Sequence, residues 1–157
     1  MGYNMKTSNT QYLTLLAILV AVTLVLGRFV MIPMGKGFLT LLDVGIYFTA
    51  AYLGKKEGAL VGGLSAFLLD LLAGYPNWML ISLFVHGVQG YFAGFKGRQK
   101  GLGLILASLV MVSSYFLASW GFYGLGIALA DVLGNILQNT LGMFLGLSLA
   151  KVFAKLN

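Results

Sequence analysis

Apolar residues fill this chain in six long stretches, separated by short clusters of glycine, proline and charge. The stretches run over about Gln11–Val30, Leu39–Leu53, Glu57–Ala73, Asn77–Phe95, Gly103–Trp120 and Ile127–Phe153. A transmembrane barrel would show short segments alternating apolar and polar residues. These unbroken runs instead predict helices, whose backbone groups are satisfied within one segment. Crossing the hydrocarbon core takes about 20 residues at 1.5 Å each, so the second and third runs are short. Only "GKKEG" separates them, which predicts a helical hairpin. "GYPN" breaks the chain before the fourth run, because proline biases its predecessor away from helix.

Composition turns helices into membrane spans. Hydrophobic residues make up 59% of the 157 and charged residues only 9%, and mean hydropathy is +0.92. Soluble domains carry about 25% charged residues, so there is too little charge here to cover a water-facing surface. The expected fold is an all-α integral membrane protein, one domain over residues 1–157, with six transmembrane helices. Its place is the cell (plasma) membrane, crossed several times. The 22 glycines have no collagen-like period and predict close helix packing. The opening "MGYNMKTSNT" lacks a basic stretch followed by a small-residue cleavage site, so no removable signal peptide is expected.

Charge adds direction. The formal net charge of +6 could point to nucleic acid, but its placement points to topology. If both termini lie inside, the inner segments hold Lys6, Lys55, Lys56, Lys96, Arg98, Lys100, Lys151 and Lys155. The outer segments then hold only Arg28 and Lys36. Positive residues favour the cytoplasmic side of short loops, giving an N-in, C-in chain with no nucleic-acid partner. Asp43, Asp70 and Asp131 then lie toward the outside, with both prolines and both tryptophans; only Glu57 is inside.

The scarce polar residues are grouped. On the fourth run Ser82, His86 and Gln89 follow the three-to-four spacing of one helix face, with Asn77 above them and Tyr75 and Trp78 flanking. On the sixth, Asp131, Asn135 and either Gln138 or Asn139 do the same. Polar groups facing lipid are costly, so these stripes should face protein or a water-filled cavity. One reading is an outward pocket with hydrogen-bonding groups among aromatics; the other is polar contact between helices. Asp43 and Asp70 are candidates either for helix caps or for ligands within a site; Asp43, near a helix start, suits the helix dipole. Asp70, near a helix end, has no such support and needs a partner, for which Arg28 or Lys36 is available. Trp78 and Trp120 can equally be interfacial anchors. Small residues recur every four positions at Ala17 and Ala21, at Gly58, Gly62 and Ala66, and at Gly142, Gly146 and Ala150, as flat ridges for helix approach.

Several chemistries are excluded. With no cysteine there are no disulfides, thiolate metal sites or cysteine nucleophiles. A lone histidine without cysteine makes no metal site. The phosphate-loop pattern, a serine nucleophile motif and HExxH are all missing, so the chain is not read as an enzyme.

Six short spans, "AILVA" in the first, "LLDVGIYFTAAYLGKKEGALVGGLSAFLLDLLAGYPNWML" in the middle and "GNILQNTLG" in the last together resemble a known family. The chain is similar to the substrate-binding S components of energy-coupling factor (ECF) vitamin transporters. That resemblance implies binding of a vitamin or precursor from outside, and ATP-dependent uptake with a coupling transmembrane protein and two ATPase subunits. ATP and Mg would be bound by those partners, with no cofactor in this chain. It also implies that Ala17 and Ala21 face the coupling protein, that loops after the first, third and fifth spans close the pocket, and that the subunit topples in the membrane to deliver its cargo. The subgroup it resembles takes hydroxymethylpyrimidine or pyridoxine-type compounds. Tyr75, Trp78 and Tyr115 would then stack on a heterocycle, and His86, Asn135 and Asn139 would hydrogen-bond it. Pantothenate or riboflavin as cargo, and a self-contained secondary carrier for a small polar or aromatic solute, are the alternatives.

Overall fold

The computed structural model describes residues 8–34 and 37–156. Among them are six α-helices and one two-stranded hairpin, in the order α1 (Asn9–Phe29), β1 (Met31–Met34), β2 (Gly37–Thr40), α2 (Leu42–Tyr52), α3 (Lys55–Ala73), α4 (Pro76–Ala93), α5 (Lys100–Tyr123) and α6 (Leu125–Leu156). A short 3-10 turn at Gly97–Gln99 precedes α5. Among the described residues, three helical segments are long and apolar enough to cross a membrane by themselves: Asn9–Phe29, Gly97–Tyr123 and Leu125–Leu156.

Local chemistry sets the helix ends. Ser8 and Gln11 form a reciprocal capping box at the start of α1, satisfying two donors that the first turn leaves open. Gly74, with φ of 82°, ends α3 in the left-handed conformation, and the Tyr75 amide returns to the Asp70 carbonyl at 2.8 Å. Pro76 then opens α4 at a position where its missing N–H costs nothing.

The hairpin departs from the helical expectation. Residues 39–40, read as the start of a second span, belong to β2, which pairs antiparallel with β1 from Met31↔Thr40 to Met34↔Gly37. Pro33 in β1 cannot donate to a ladder, and it sits in a two-stranded sheet where every strand is an edge. What remains of that run is the 11-residue α2, about 16 Å long. Eight of its residues are buried, because α1, α3, α4 and α6 all pack around it.

Glycine makes that packing possible. A Cβ at Gly62 would meet the His86 carbonyl oxygen at 2.5 Å, and one at Gly63 the Leu83 carbonyl at 2.8 Å, so α3 and α4 touch backbone to backbone. On α6, Gly142 lies against Asp43 and Gly146 against the Val44 carbonyl, seating α6 on α2. Two of the small-residue ridges therefore work inside the molecule. The third is different: Ala17 and Ala21 are exposed on α1, beside exposed Leu13, Ile18, Val22 and Val25.

The two ends of the bundle differ. At one end the Tyr12 hydroxyl donates to Glu57 at 2.6 Å, and the Lys96 ammonium donates to the Leu53 carbonyl at 3.5 Å. These contacts gather the start of α1, the α2–α3 turn and the α4–α5 turn. The other end carries the hairpin, the α3–α4 turn and a cavity.

Candidate functional site

The cavity lies between the hairpin, α3, α4, α5 and α6. It holds about 740 Å³ of atom-free space, the open solvent at its mouth included. One wall is aromatic. The Trp78 and Tyr115 rings lie 5.6 Å apart and inclined by 32°. Behind Trp78, Phe122 packs edge-on at 5.3 Å, and the indole N–H donates to the Tyr123 hydroxyl at 3.2 Å. Tyr115 is also fixed by a 2.6 Å bond between its hydroxyl and Ser82 Oγ. On the hairpin side, Phe38 meets Tyr75 edge-to-face at 5.1 Å. Rings held in this way have little rotamer freedom left to lose when a flat ligand enters.

The floor is a buried hydrogen-bond network that joins four helices. His86 Nδ1 donates to Gln89 Oε1 at 2.6 Å. The Gln89 amide nitrogen donates to Asp43 Oδ2 and to Asn139 Oδ1, both at 3.1 Å. Asn139 also accepts from the Tyr47 hydroxyl at 2.6 Å and donates to Ser108 Oγ at 2.8 Å. Gln138 donates to Asp43 Oδ1 at 3.4 Å and accepts from the Thr40 amide at 2.8 Å, tying the hairpin to α6. Asp43 is completely buried, and its only charged-type neighbour among the described residues is His86, at 3.5 Å. A buried carboxylate persists when donors surround it, and here Gln89 and Gln138 supply them. With Nδ1 committed to Gln89, the Nε2 edge of His86 is the one left for the cavity.

Most of the polar residues expected to meet do so. Tyr75, Trp78, Ser82, His86, Tyr115, Asp131 and Asn135 line the cavity. Gln89 and Asn139 sit beneath it as supports rather than on its wall. Asn77 is exposed in the first turn of α4, rotated about 100° from Trp78 on the helix, and stays outside. Sequence reasoning favoured the helix-cap reading of Asp43 over the ligand one and missed Tyr47, Thr40 and Phe38: Asp43, Tyr47 and Thr40 carry the network, and Phe38 the wall. Asp43 stands in the first turn of α2 as a dipole argument expects, but its side chain also serves the network. The available signal was its setting, one acid inside "LLDVGIYF", where burial demands partners. Asp70 lines the cavity without forming an ion pair among the described residues; Arg28 does not reach it, and Lys36 lies outside the described residues. Asp70 Oδ2 and Asp131 Oδ1 are buried with no hydrogen-bond partner, a condition that costs about 1–3 kcal/mol per group.

A cavity with an aromatic wall and a polar floor, opening at one end of an apolar helical bundle, is the architecture of a membrane protein that holds a small solute. The model of the ECF-type riboflavin transporter S component family matches residues 7–155. The thiamine precursor transporter HmpT of Lactococcus lactis subsp. cremoris (strain MG1363) is 47% identical over 155 residues, covering 97% of this chain and 90% of that protein. An uncharacterized protein of the gap 3' region of Pyrococcus woesei is 33% identical over 142 residues, covering 87% of this chain and 95% of its own. The chain belongs to the S-component family of ECF-type transporters. It is a multi-pass cell-membrane protein of vitamin uptake and a transporter subunit, not an enzyme. S components bind vitamin substrates and work with a coupling membrane protein and ATPases.

Proposed function

We propose that this chain binds a thiamine precursor of the hydroxymethylpyrimidine type from outside the cell and carries it inward as the S subunit of an ATP-driven ECF complex. The observation that carries the reading is the pairing of the Trp78–Tyr115 wall with the His86 and Asn135 edge, which suits a flat heterocycle bearing hydrogen-bonding groups. The high identity to HmpT favours the same class of cargo. The chain crosses the membrane six times with both termini inside. Supporting this, the Lys55–Glu57, Lys96–Lys100 and Lys151–Lys155 regions are basic, whereas the cavity lies at the end of the hairpin and the α3–α4 turn.

The test is mass spectrometry of small molecules released from the purified chain. A hydroxymethylpyrimidine is the expected product; riboflavin, the compound in the family's description, or no small molecule at all would overturn the assignment. Gradient-driven flux through liposomes holding this chain alone would overturn the subunit reading in favour of a self-contained carrier.

The exposed Ala17–Ala21 ridge is assigned to the coupling protein. Ala17→Trp is expected to abolish co-purification with the coupling protein while leaving ligand affinity within about 2-fold, since the side chain is exposed on α1 and is no part of the cavity wall. Co-purification at the wild-type level would remove this face from the interface.

A further inference from the structure

Two carboxylates on the cavity wall are incomplete. Asp70, in the last turn of α3, is 6% exposed, and its Oδ2 has no hydrogen-bond donor. Asp131, near the start of α6, accepts from Ser119 Oγ at 2.7 Å through Oδ2, while its Oδ1 has none. Asp43, by contrast, has both oxygens occupied by Gln89 and Gln138. Buried polar atoms nearly always have a partner, so each exception calls for an explanation. The negative end of the α3 dipole makes the position of Asp70 less favourable still. Among the described residues no lysine or arginine stands on the cavity wall. Among the described residues the cavity thus holds spare acceptors and acidic side chains with His86 as the one titratable base on its wall and no lysine or arginine beside them.

We propose that Asp70 and Asp131 determine specificity, accepting hydrogens from an amino-bearing, neutral or cationic aromatic heterocycle and excluding its anionic relatives. The proposal rests on the heterocycle reading above and narrows it. In an aminopyrimidine the exocyclic amine and the adjacent ring nitrogen form an amidine edge. When that nitrogen is protonated, one carboxylate can take both hydrogens in parallel, as it does with a guanidinium. A second donor, such as a hydroxyl, would complete the other carboxylate. A phosphate or carboxylate on the ligand would instead meet like charge in a poorly screened site. A heterocycle without the amino group would leave one acceptor unfilled, and sites built for a donor reject analogues that lack it.

The experiment is titration calorimetry on the purified chain in detergent, with three probes: hydroxymethylpyrimidine carrying its amino group, the phosphate monoester of that compound, and pyridoxine, which has no amino group. The aminopyrimidine is expected to bind at least about 10-fold tighter than pyridoxine and about 100-fold tighter than the ester. Asp70→Asn should weaken aminopyrimidine binding by about 10- to 100-fold and narrow its margin over the ester. Asp131→Asn should act in the same direction. Equal affinity for the aminopyrimidine and its ester, or unchanged affinity in both variants, would overturn the inference and leave the heterocycle reading standing. Silence from all three probes would overturn that reading and the inference with it. If a variant fails to fold, the three-probe comparison on the unaltered chain still decides.

Discussion

Gly142→Leu is expected to destabilise the folded chain by at least about 3 kcal/mol, the upper end of ordinary overpacking, and to abolish ligand binding. The reason is backbone proximity. The nearest neighbours of a side chain at Gly142 are the Cβ, carbonyl carbon and Cα of Asp43, atoms that cannot swing aside as a long side chain does. Even Gly142→Ala must separate α6 from α2. That separation acts on the site directly, because Gln138 and Asn139, one turn earlier on α6, hold Asp43, Tyr47 and Gln89. In lipid, helices associate through close packing and polar contacts rather than through water exclusion, so no hydrophobic gain offsets the lost fit. Gly126→Ala is the matched control, on the same helix with nothing within 4 Å of the added carbon. It should be neutral or mildly stabilising, as glycine is about 1 kcal/mol worse than alanine in a helix. Thermal unfolding in detergent measures both. Equal behaviour of Gly142→Leu and Gly126→Ala would show that the α2–α6 contact is not the constraint described here.

The contrast between those two glycines shows what could be read from the chain and what could not. Hydropathy located the helices, because lipid leaves no other role for runs such as Gln11–Val30, and spacing located the polar faces of α4 and α6. Neither signal tells which neighbour a face meets. Gln138 and Asn139 illustrate the difficulty. A single helix face can claim one of two adjacent residues, but both are used: Gln138 turns to the hairpin and Asn139 to α2, α4 and α5. The hairpin was hidden because "MIPMGKG" reads as a proline- and glycine-broken link, and Leu39 and Thr40 continue into the apolar run that follows. Its signal was the Gly-Lys-Gly link between two short runs, a pattern that joins strands as readily as it ends helices. Asp43 was underestimated for a related reason. A carboxylate in a first helical turn already has a local explanation, and pairing with residues 46 and 95 positions away leaves no trace in spacing. Asp70 offered no local explanation, and its need for a partner was legible; that the partner is absent from this chain's described residues was not.

Gln89→Leu is expected to weaken stability by about 2–4 kcal/mol and ligand affinity by about 10-fold. Gln89 makes three side-chain bonds, to His86, Asp43 and Asn139. Polar contacts between membrane helices contribute about 0.6 kcal/mol each on average and at most about 1.7, so three lost together account for the stability range. The affinity effect is indirect, since Gln89 lies under the cavity. Without it the imidazole is no longer held through Nδ1, and its nearest alternative acceptor is Asp43 Oδ1 at 3.5 Å. Reaching that atom turns the ring, and with it the Nε2 edge proposed to meet the ligand. His86→Ala separates the two effects. It removes the ligand-facing edge but keeps the bonds from Gln89 to Asp43 and Asn139, so it should cost affinity at least as heavily and stability only about 1 kcal/mol. Thermal unfolding and ligand titration on both variants test the order. If Gln89→Leu proved harmless to stability while His86→Ala did not, the network would be organised around the histidine, and Gln89 would be a passive neighbour. If both variants lost stability but neither lost affinity, the polar floor would be only a means of joining α2, α4 and α6, and the cargo would have to be held by the aromatic wall and the two incomplete carboxylates above it.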